Sequence, residues 1–375
     1  MSNFFKKIIG MISAVSVCLT NSVTTMAEDD YLKYQYDQDA ELSMESKEQY
    51  INRIILNHLF WYESKDQLGY SNEIPYWNFS TNSIVNNCYF VFDGDQIIGE
   101  LFVTDSNGEF SSTFREMDCA ELQNAYDKNI GISIGNYCKN VVLFTESTGY
   151  TYVDGMFEIQ FPDDFSGTTT VISREKSVMS QVEPLAQRAA ASNMQGVPVV
   201  GNDSSLGIGE GVCWASCVAM KMNFQNKLHL DASDVYYATR NKMHALGMDS
   251  EPTGTPSIIT LAYKEYGYSV NYKSSAVTPN EVLGLLSMNK PVQISISGTR
   301  NSTGSPVYHA VIIYGISIAN TSSSNTDITI FIKNPNVDRK ESVSYTGNPN
   351  KIKASINYDA EWDECFYNNW FATYE

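Results

Sequence analysis

A glycine-rich turn that runs directly into an apolar, helix-forming stretch is the strongest local constraint in this chain. It reads Gly209-Glu210-Gly211-Val212-Cys213-Trp214-Ala215-Ser216-Cys217 and continues to about Phe224. That pattern predicts a helix beginning at Cys213. The first backbone N–H groups of a helix lack intrahelical acceptors, and the helix dipole presents its positive end there, so an anion is stabilised. A thiol so placed is drawn toward thiolate, the nucleophilic form of cysteine. To work as a nucleophile it also needs a base and a group that orients the base.

With 375 residues, the chain can bury one large core or two ordinary ones, and two domains are expected. Residues 1–27 read as a secretory signal peptide. Lys6 and Lys7 precede the apolar run Ile8 to Leu19, which is too short to span a bilayer, and Thr25-Met26-Ala27 forms a small-residue cleavage site. Cys18 lies inside the run, but Val17 occupies the place where a lipoprotein signal wants a small residue. The mature protein is therefore expected to be secreted, with no membrane association once the signal is gone.

The net charge of -18 is unevenly spread: residues 28–196 carry 27 acidic and 10 basic side chains, against 16 and 13 in residues 197–375. Neither half has a basic face to neutralise phosphates, so nucleic acid is not an expected partner. Of the seven cysteines, Cys18 leaves with the signal, and the remaining six permit disulfides in an exported chain. Their spacing does not make a small disulfide scaffold, and Cys213 must stay reduced if it is to act.

Along the chain, helical spacing covers Glu45 to about Tyr62. Two β-rich runs, Cys88 to Phe92 and Gln96 to Val103, meet at Asp93-Gly94-Asp95, a hairpin turn. A short helix over Met117 to Lys128 and strands near Ile130 to Ile134, Val141 to Phe144 and Gly155 to Phe161 complete a compact α+β module in residues 28–172. Residues 173–196 read as a linker, exposed to cleavage. The second domain, residues 197–375, starts with helices: Cys213 to Phe224, Ser233 to Leu246, and two that open on Thr255-Pro256 and Thr278-Pro279-Asn280-Glu281. The last has capping-box spacing. Strands follow over Pro291 to Ser297, Tyr308 to Ile318 and Asp327 to Lys333.

Four histidines, His58, His229, His244 and His309, limit the choice of base. His309 opens the apolar strand His309-Ala310-Val311-Ile312-Ile313, where a side chain at the strand mouth can face a cleft. Ile330-Phe331-Ile332-Lys333-Asn334 closes the next strand on an amide suited to orienting an imidazole. Cysteine, histidine and asparagine in that chain order fit an activated thiol with a positioned base. Cys217, one helical turn beyond Cys213, could be a resolving thiol, a disulfide partner, a metal ligand or a buried free cysteine, and the last is favoured.

Several other patterns carry no chemistry. Gly131-Ile132-Ser133-Ile134-Gly135 has nucleophile-elbow spacing but no helix after it. Ser173-Arg174-Glu175-Lys176 falls in the linker, and Asp105-Ser106-Asn107-Gly108-Glu109 lacks the later calcium ligands. There is no P-loop, no His-Glu-x-x-His and no Cys-x-x-Cys, so neither cofactor nor metal is expected.

Cys213-Trp214-Ala215 at a helix start, His309-Ala310-Val311 opening a strand and Lys333-Asn334 closing another resemble the three signatures of papain-like cysteine peptidases, particularly compact bacterial members such as staphopains, streptopain and bacteriocin leader peptidases. The resemblance covers roughly Val197 to Glu375. It implies an α+β fold: a two-lobe peptidase domain, helical lobe facing sheet lobe, preceded by a small α+β pro-region. It further implies a zymogen in which Cys213, His309 and Asn334 are catalytic, with peptide or protein substrates and the pro-region as an intramolecular partner. The family's oxyanion glutamine is missing: Gly207 stands at its position, leaving Asn202, Ser204, Ser205 or the Cys213 backbone N–H as donors. Two other functions share the implied fold: acyl transfer to an amine, and non-catalytic binding.

Overall fold

The computed structural model describes residues 46–59, 67–106, 109–117, 119–137, 140–145, 148–151, 158–160, 167–177, 188–194, 196–201, 211–320, 326–337, 341–360 and 365–375. The signal peptide expected at residues 1–27 lies outside them. So do the middle of the expected linker and the loop holding Asn202, Ser204, Ser205 and Gly207.

Every strand among the described residues belongs to one large mixed sheet. Its N-terminal part is a meander in which strands Ser83–Asp93, Gln96–Ser106 and Glu109–Glu116 pair in turn, antiparallel. The expected Asp-Gly hairpin is present, with Gly94 at φ 61°, a left-handed conformation that suits glycine. One parallel pair, Ile74–Asn78 with Gly131–Tyr137, makes the sheet mixed. At Gly135 a Cβ would lie 2.0 Å from the Trp77 carbonyl oxygen, so glycine permits the two backbones to approach. The elbow-like Gly131–Gly135 pattern is thus a strand, and its Ser133 is buried.

The Glu109–Glu116 strand then pairs antiparallel with Glu341–Gly347, in register from Arg115 opposite Glu341 to Ser111 opposite Tyr345. Beyond it the sheet continues through Thr326–Lys333, Pro306–Asn320, Val292–Arg300 and Cys365–Tyr374. Two strands fall within the expected linker, Arg174–Ser177 and Arg188–Asn193. They pair with Leu68–Ser71 and with the far end of Pro306–Asn320.

Six helices lie among the described residues: α1 Lys47–Leu59, α2 Ala120–Asp127, α3 Cys213–Asn226, α4 Ala232–Ala245, α5 Pro256–Glu265 and α6 Pro279–Ser287. The Thr278–Glu281 capping box forms at the start of α6: the Thr278 Oγ1 accepts from the Glu281 N–H at 3.1 Å, and Glu281 Oε2 accepts from the Thr278 N–H at 2.7 Å. Asp231 and Asp234 do the same for α4. Helices α3 and α6 pack on the Val292–Arg300 and Pro306–Asn320 strands, with α4 and α5 behind α3. The first ten residues of α3 are buried on every side, as a helix packed between a sheet and two other helices must be.

The expected two-lobe papain-like fold with a separate pro-region is overturned: the chain is mostly one large mixed sheet with helices laid on it. That sheet crosses the expected boundary at residue 197. Strand pairing explains the difference. Glu341–Gly347 has Thr326–Lys333 on one side, and its other edge would be a row of open backbone donors and acceptors. The Glu109–Glu116 strand satisfies them.

Side chains reinforce the joint. Tyr50 of α1 donates its hydroxyl to Ser112 Oγ at 3.1 Å and to the Ser344 carbonyl oxygen at 3.4 Å. Arg53 pairs with Asp327, and Asn357 Nδ2 donates to Ser111 Oγ at 2.8 Å. Val337 packs into an N-terminal core with Ile74, Tyr76, Phe102, Ile134 and Leu143. The described part of the chain from residue 46 onward is therefore one folding unit. Ile134→Ala should remove about 2–5 kcal/mol of stability, and calorimetry should show a single transition moved to lower temperature. Two transitions, only one of them moved, would contradict this.

Candidate active site

Cys213 is the first residue of α3 and is 9% exposed. Its helix has no side-chain N-cap. Val212 precedes it with backbone angles that are neither helical nor extended, and the Val212 carbonyl oxygen accepts from the Ala215 and Ser216 N–H groups at 2.8 and 3.1 Å. The earliest N–H groups of the helix therefore have no acceptor within it, which suits an anion at this point.

Cys213 and His309 line the same cleft, of about 890 Å³. Its walls include Trp214, Gly254, Pro256 and Tyr308. Gly254 sits so close that a Cβ there would lie 3.2 Å from Trp214 Cδ1. Among the described residues that line it, Arg300 is the only Lys or Arg and none is a carboxylate, although the chain as a whole is strongly acidic.

His309 is 5% exposed and lies in the Pro306–Asn320 strand, with its ring stacked on Tyr367 at a centroid distance of 5.5 Å. Its Nε2 is 2.9 Å from Asn334 Oδ1. Asn334 is fully buried in the turn that follows the Thr326–Lys333 strand, and its Oδ1 also accepts from the Asn336 N–H at 3.0 Å. On the other side, Asn334 Nδ2 donates to Tyr358 Oη at 2.8 Å and to Glu341 Oε2 at 3.1 Å. Tyr358 in turn donates its hydroxyl proton to Glu341.

These contacts fix a proton. A backbone N–H only donates, so the Asn336 N–H fixes Oδ1 as the amide atom on its side, facing His309, and leaves Nδ2 to Glu341 and Tyr358. Since Oδ1 can only accept, His309 Nε2 must carry a proton. In the neutral ring that leaves Nδ1 as the basic nitrogen. Asn334 therefore sets both the orientation and the tautomer of the imidazole.

The structure brings Asn334 onto His309 and puts His309 in one cleft with Cys213, from three separate elements. His229 and His244 are exposed, and the His58 side chain lies outside the described residues. Cys217 is fully buried in the core beneath α3, and burial pushes its thiol well above the ordinary range, with the nearby Cys213 adding to the rise. None of the five described cysteines is in a disulfide. The described residues contain no cluster of three or more His, Cys, Asp or Glu arranged to hold a metal. The second oxyanion donor expected in the loop before Gly211 lies outside the described residues.

Sequence reasoning missed Glu341, Tyr358 and Tyr367. Glu341 and Tyr358 are seven and 24 residues beyond Asn334, in short strands whose polar sequences carry no helical or apolar signal.

No protein-family model matches the chain, and no curated protein matches it in sequence.

The geometry gives Cys213 access to the cleft and denies it to Cys217. Brief iodoacetamide treatment of the native protein should modify Cys213 while Cys217 stays unmodified until the protein is unfolded. Peptide mapping that finds Cys217 labelled at the same rate would contradict this arrangement.

Proposed function

We propose that this protein is an exported cysteine endopeptidase. The observation that carries the reading is the buried His309–Asn334 pair at 2.9 Å, in a cleft shared with a cysteine at a helix start. The likeness to papain-like peptidases enters only through the three motifs and their chemistry, not through the architecture. Export rests on residues 1–27, and none of the described helices is long and apolar enough to cross a membrane.

In this reading the Cys213 thiolate attacks a peptide carbonyl carbon, forming a C–S bond. The negative charge that develops on the carbonyl oxygen is met by the Cys213 backbone N–H at the end of α3. The His309 imidazolium gives its proton to the departing nitrogen as the C–N bond breaks, leaving a thioester on Cys213 and a free amine. Neutral His309 then takes a proton from water, whose oxygen attacks the thioester carbon; the C–S bond breaks, the acyl group leaves as a carboxylic acid, and the thiolate–imidazolium pair is restored. Asn334 keeps the ring in one plane and one tautomer throughout.

A peptide-library digest read by mass spectrometry tests the reading. Wild type should cleave internal peptide bonds, and Cys213→Ala should be slower by about 10³-fold or more. Equal cleavage by both proteins would overturn the assignment. A primary amine added to the reaction would divert the thioester to transamidated product if acyl transfer were the true reaction, whereas hydrolysed product should dominate.

A further inference from the structure

We infer that Arg115, in the N-terminal half, is a positioning residue that acts on His309 through Glu341 and Asn334, and that this half therefore stays bound in the active protein. The inference rests on the peptidase reading for its catalytic meaning, but the line of contacts from Arg115 through Glu341 and Asn334 to His309 stands on geometry alone.

Arg115 is fully buried in the Glu109–Glu116 strand, directly opposite Glu341. Its Nε lies 3.3 Å from Glu341 Oε1, within ion-pair range though not aligned as a hydrogen bond. Its Nη1 donates to Glu100 Oε1 at 2.9 Å, and its Nη2 donates to the Asp359 carbonyl oxygen at 2.7 Å. One guanidinium thus holds two buried carboxylates. The Asp359 carboxyl, also close by, is pushed up to about 6 by burial, with Arg115 pulling the other way.

Among the described residues, the titratable groups facing Glu341 are Arg115 and Tyr358, with Glu100 and Asp359 reaching it through Arg115. On the neighbouring strand, Lys333 places its ammonium over the Tyr314 ring. Among these groups Arg115 is the cation against Glu341. A buried carboxylate that loses its cation is costly, and the cost is relieved when the side chain leaves its place. Asn334 Nδ2 would then keep Tyr358 Oη as an acceptor but lose Glu341, and the amide would no longer be held in one plane. His309 Nε2 would lose the fixed acceptor for its proton, and the Nδ1–H form would gain population. That form presents a donor where a basic nitrogen is needed. Arg115 prevents this by holding Glu341 beneath Asn334.

Removal of the N-terminal half would take away Arg115, the core around Val337 and the partner strand of Glu341–Gly347 together. A maturation cut between residues 173 and 196 should therefore leave two fragments that remain associated, with the acidic one retained.

The test uses the full chain. Nitrogen-15 NMR of the imidazoles, with His309 assigned by His309→Gln, should find the Nε2–H tautomer in wild type at neutral pH. Arg115→Met should move part of the population toward Nδ1–H and lower kcat about 10- to 100-fold, with little change in KM. Arg115→Lys should restore much of the wild-type behaviour. Arg115→Met combined with Glu341→Gln removes the unpaired charge. It should fold even if Arg115→Met alone does not, and its amide oxygen should again accept from Asn334 and restore the Nε2–H tautomer. Wild-type tautomer and kcat in folded Arg115→Met, or a double variant whose tautomer matches that of Arg115→Met, would overturn the inference while leaving the peptidase reading intact. A wild type with the Nε2–H tautomer but no Cys213-dependent cleavage would overturn the peptidase reading instead. Intact-mass analysis of the active species should find both halves, and active protein lacking residues 46–177 would overturn retention.

Discussion

The antiparallel ladder between Glu109–Glu116 and Glu341–Gly347 is the contact on which the rest of the structure depends. A strand whose edge is left open exposes a row of backbone donors and acceptors, and this one lies next to the strand that leads into Asn334. Closing it does more than satisfy the backbone. It sets Arg115 opposite Glu341, places Glu341 beneath Asn334, and draws Val337, three residues past Asn334, into the N-terminal core. The short turn carrying Asn334 is thus held at both ends, which is what an orienting residue requires.

The electrostatics of that joint are unusual for a protein interior. Glu100, Arg115 and Glu341 are all almost fully buried, and Asp359 is 6% exposed. Taking ions out of water costs several kcal/mol each, and pairing offsets this only where the geometry is good. An apolar cluster of the same volume would serve stability as well. The charged cluster does something an apolar one cannot: it holds one carboxyl group where it accepts from Asn334 Nδ2 and Tyr358 Oη, and through Asn334 it orients the His309 ring. In this account the cluster's charge serves specificity of one tautomer rather than fold stability.

Local chemistry was legible in the amino-acid sequence where the cause was local. The Gly211 to Cys217 run announces the start of α3, Thr278-Pro279-Asn280-Glu281 announces α6, and Asp93-Gly94-Asp95 announces a hairpin, each from residues adjacent in the chain. Cys213, His309 and Asn334 could be singled out because each sits at the end of a strongly patterned element. The sheet's connectivity could not be read. Ser111-Ser112-Thr113-Phe114-Arg115 and Glu341-Ser342-Val343-Ser344-Tyr345 pair across more than two hundred residues, and both are too polar to look like buried strands. Their backbones pair with one another, and their Ser111, Ser112 and Ser344 hydroxyls meet Asn357, Tyr50 and Thr329, a compensation visible only once the partners are together. The same blindness divided the chain into a pro-region and a two-lobe domain when it folds as one sheet, and it hid Glu341, Tyr358 and Arg115.

The most direct test of the account is covalent active-site titration of the active protein with a peptide carrying an electrophilic carbonyl at its C-terminus, followed by intact-mass and peptide mapping. The account predicts one adduct per molecule, on Cys213, lost in His309→Ala, in a species that still contains residues 46–177. Adducts spread among several cysteines, or a single Cys213 adduct undiminished in His309→Ala, would contradict it.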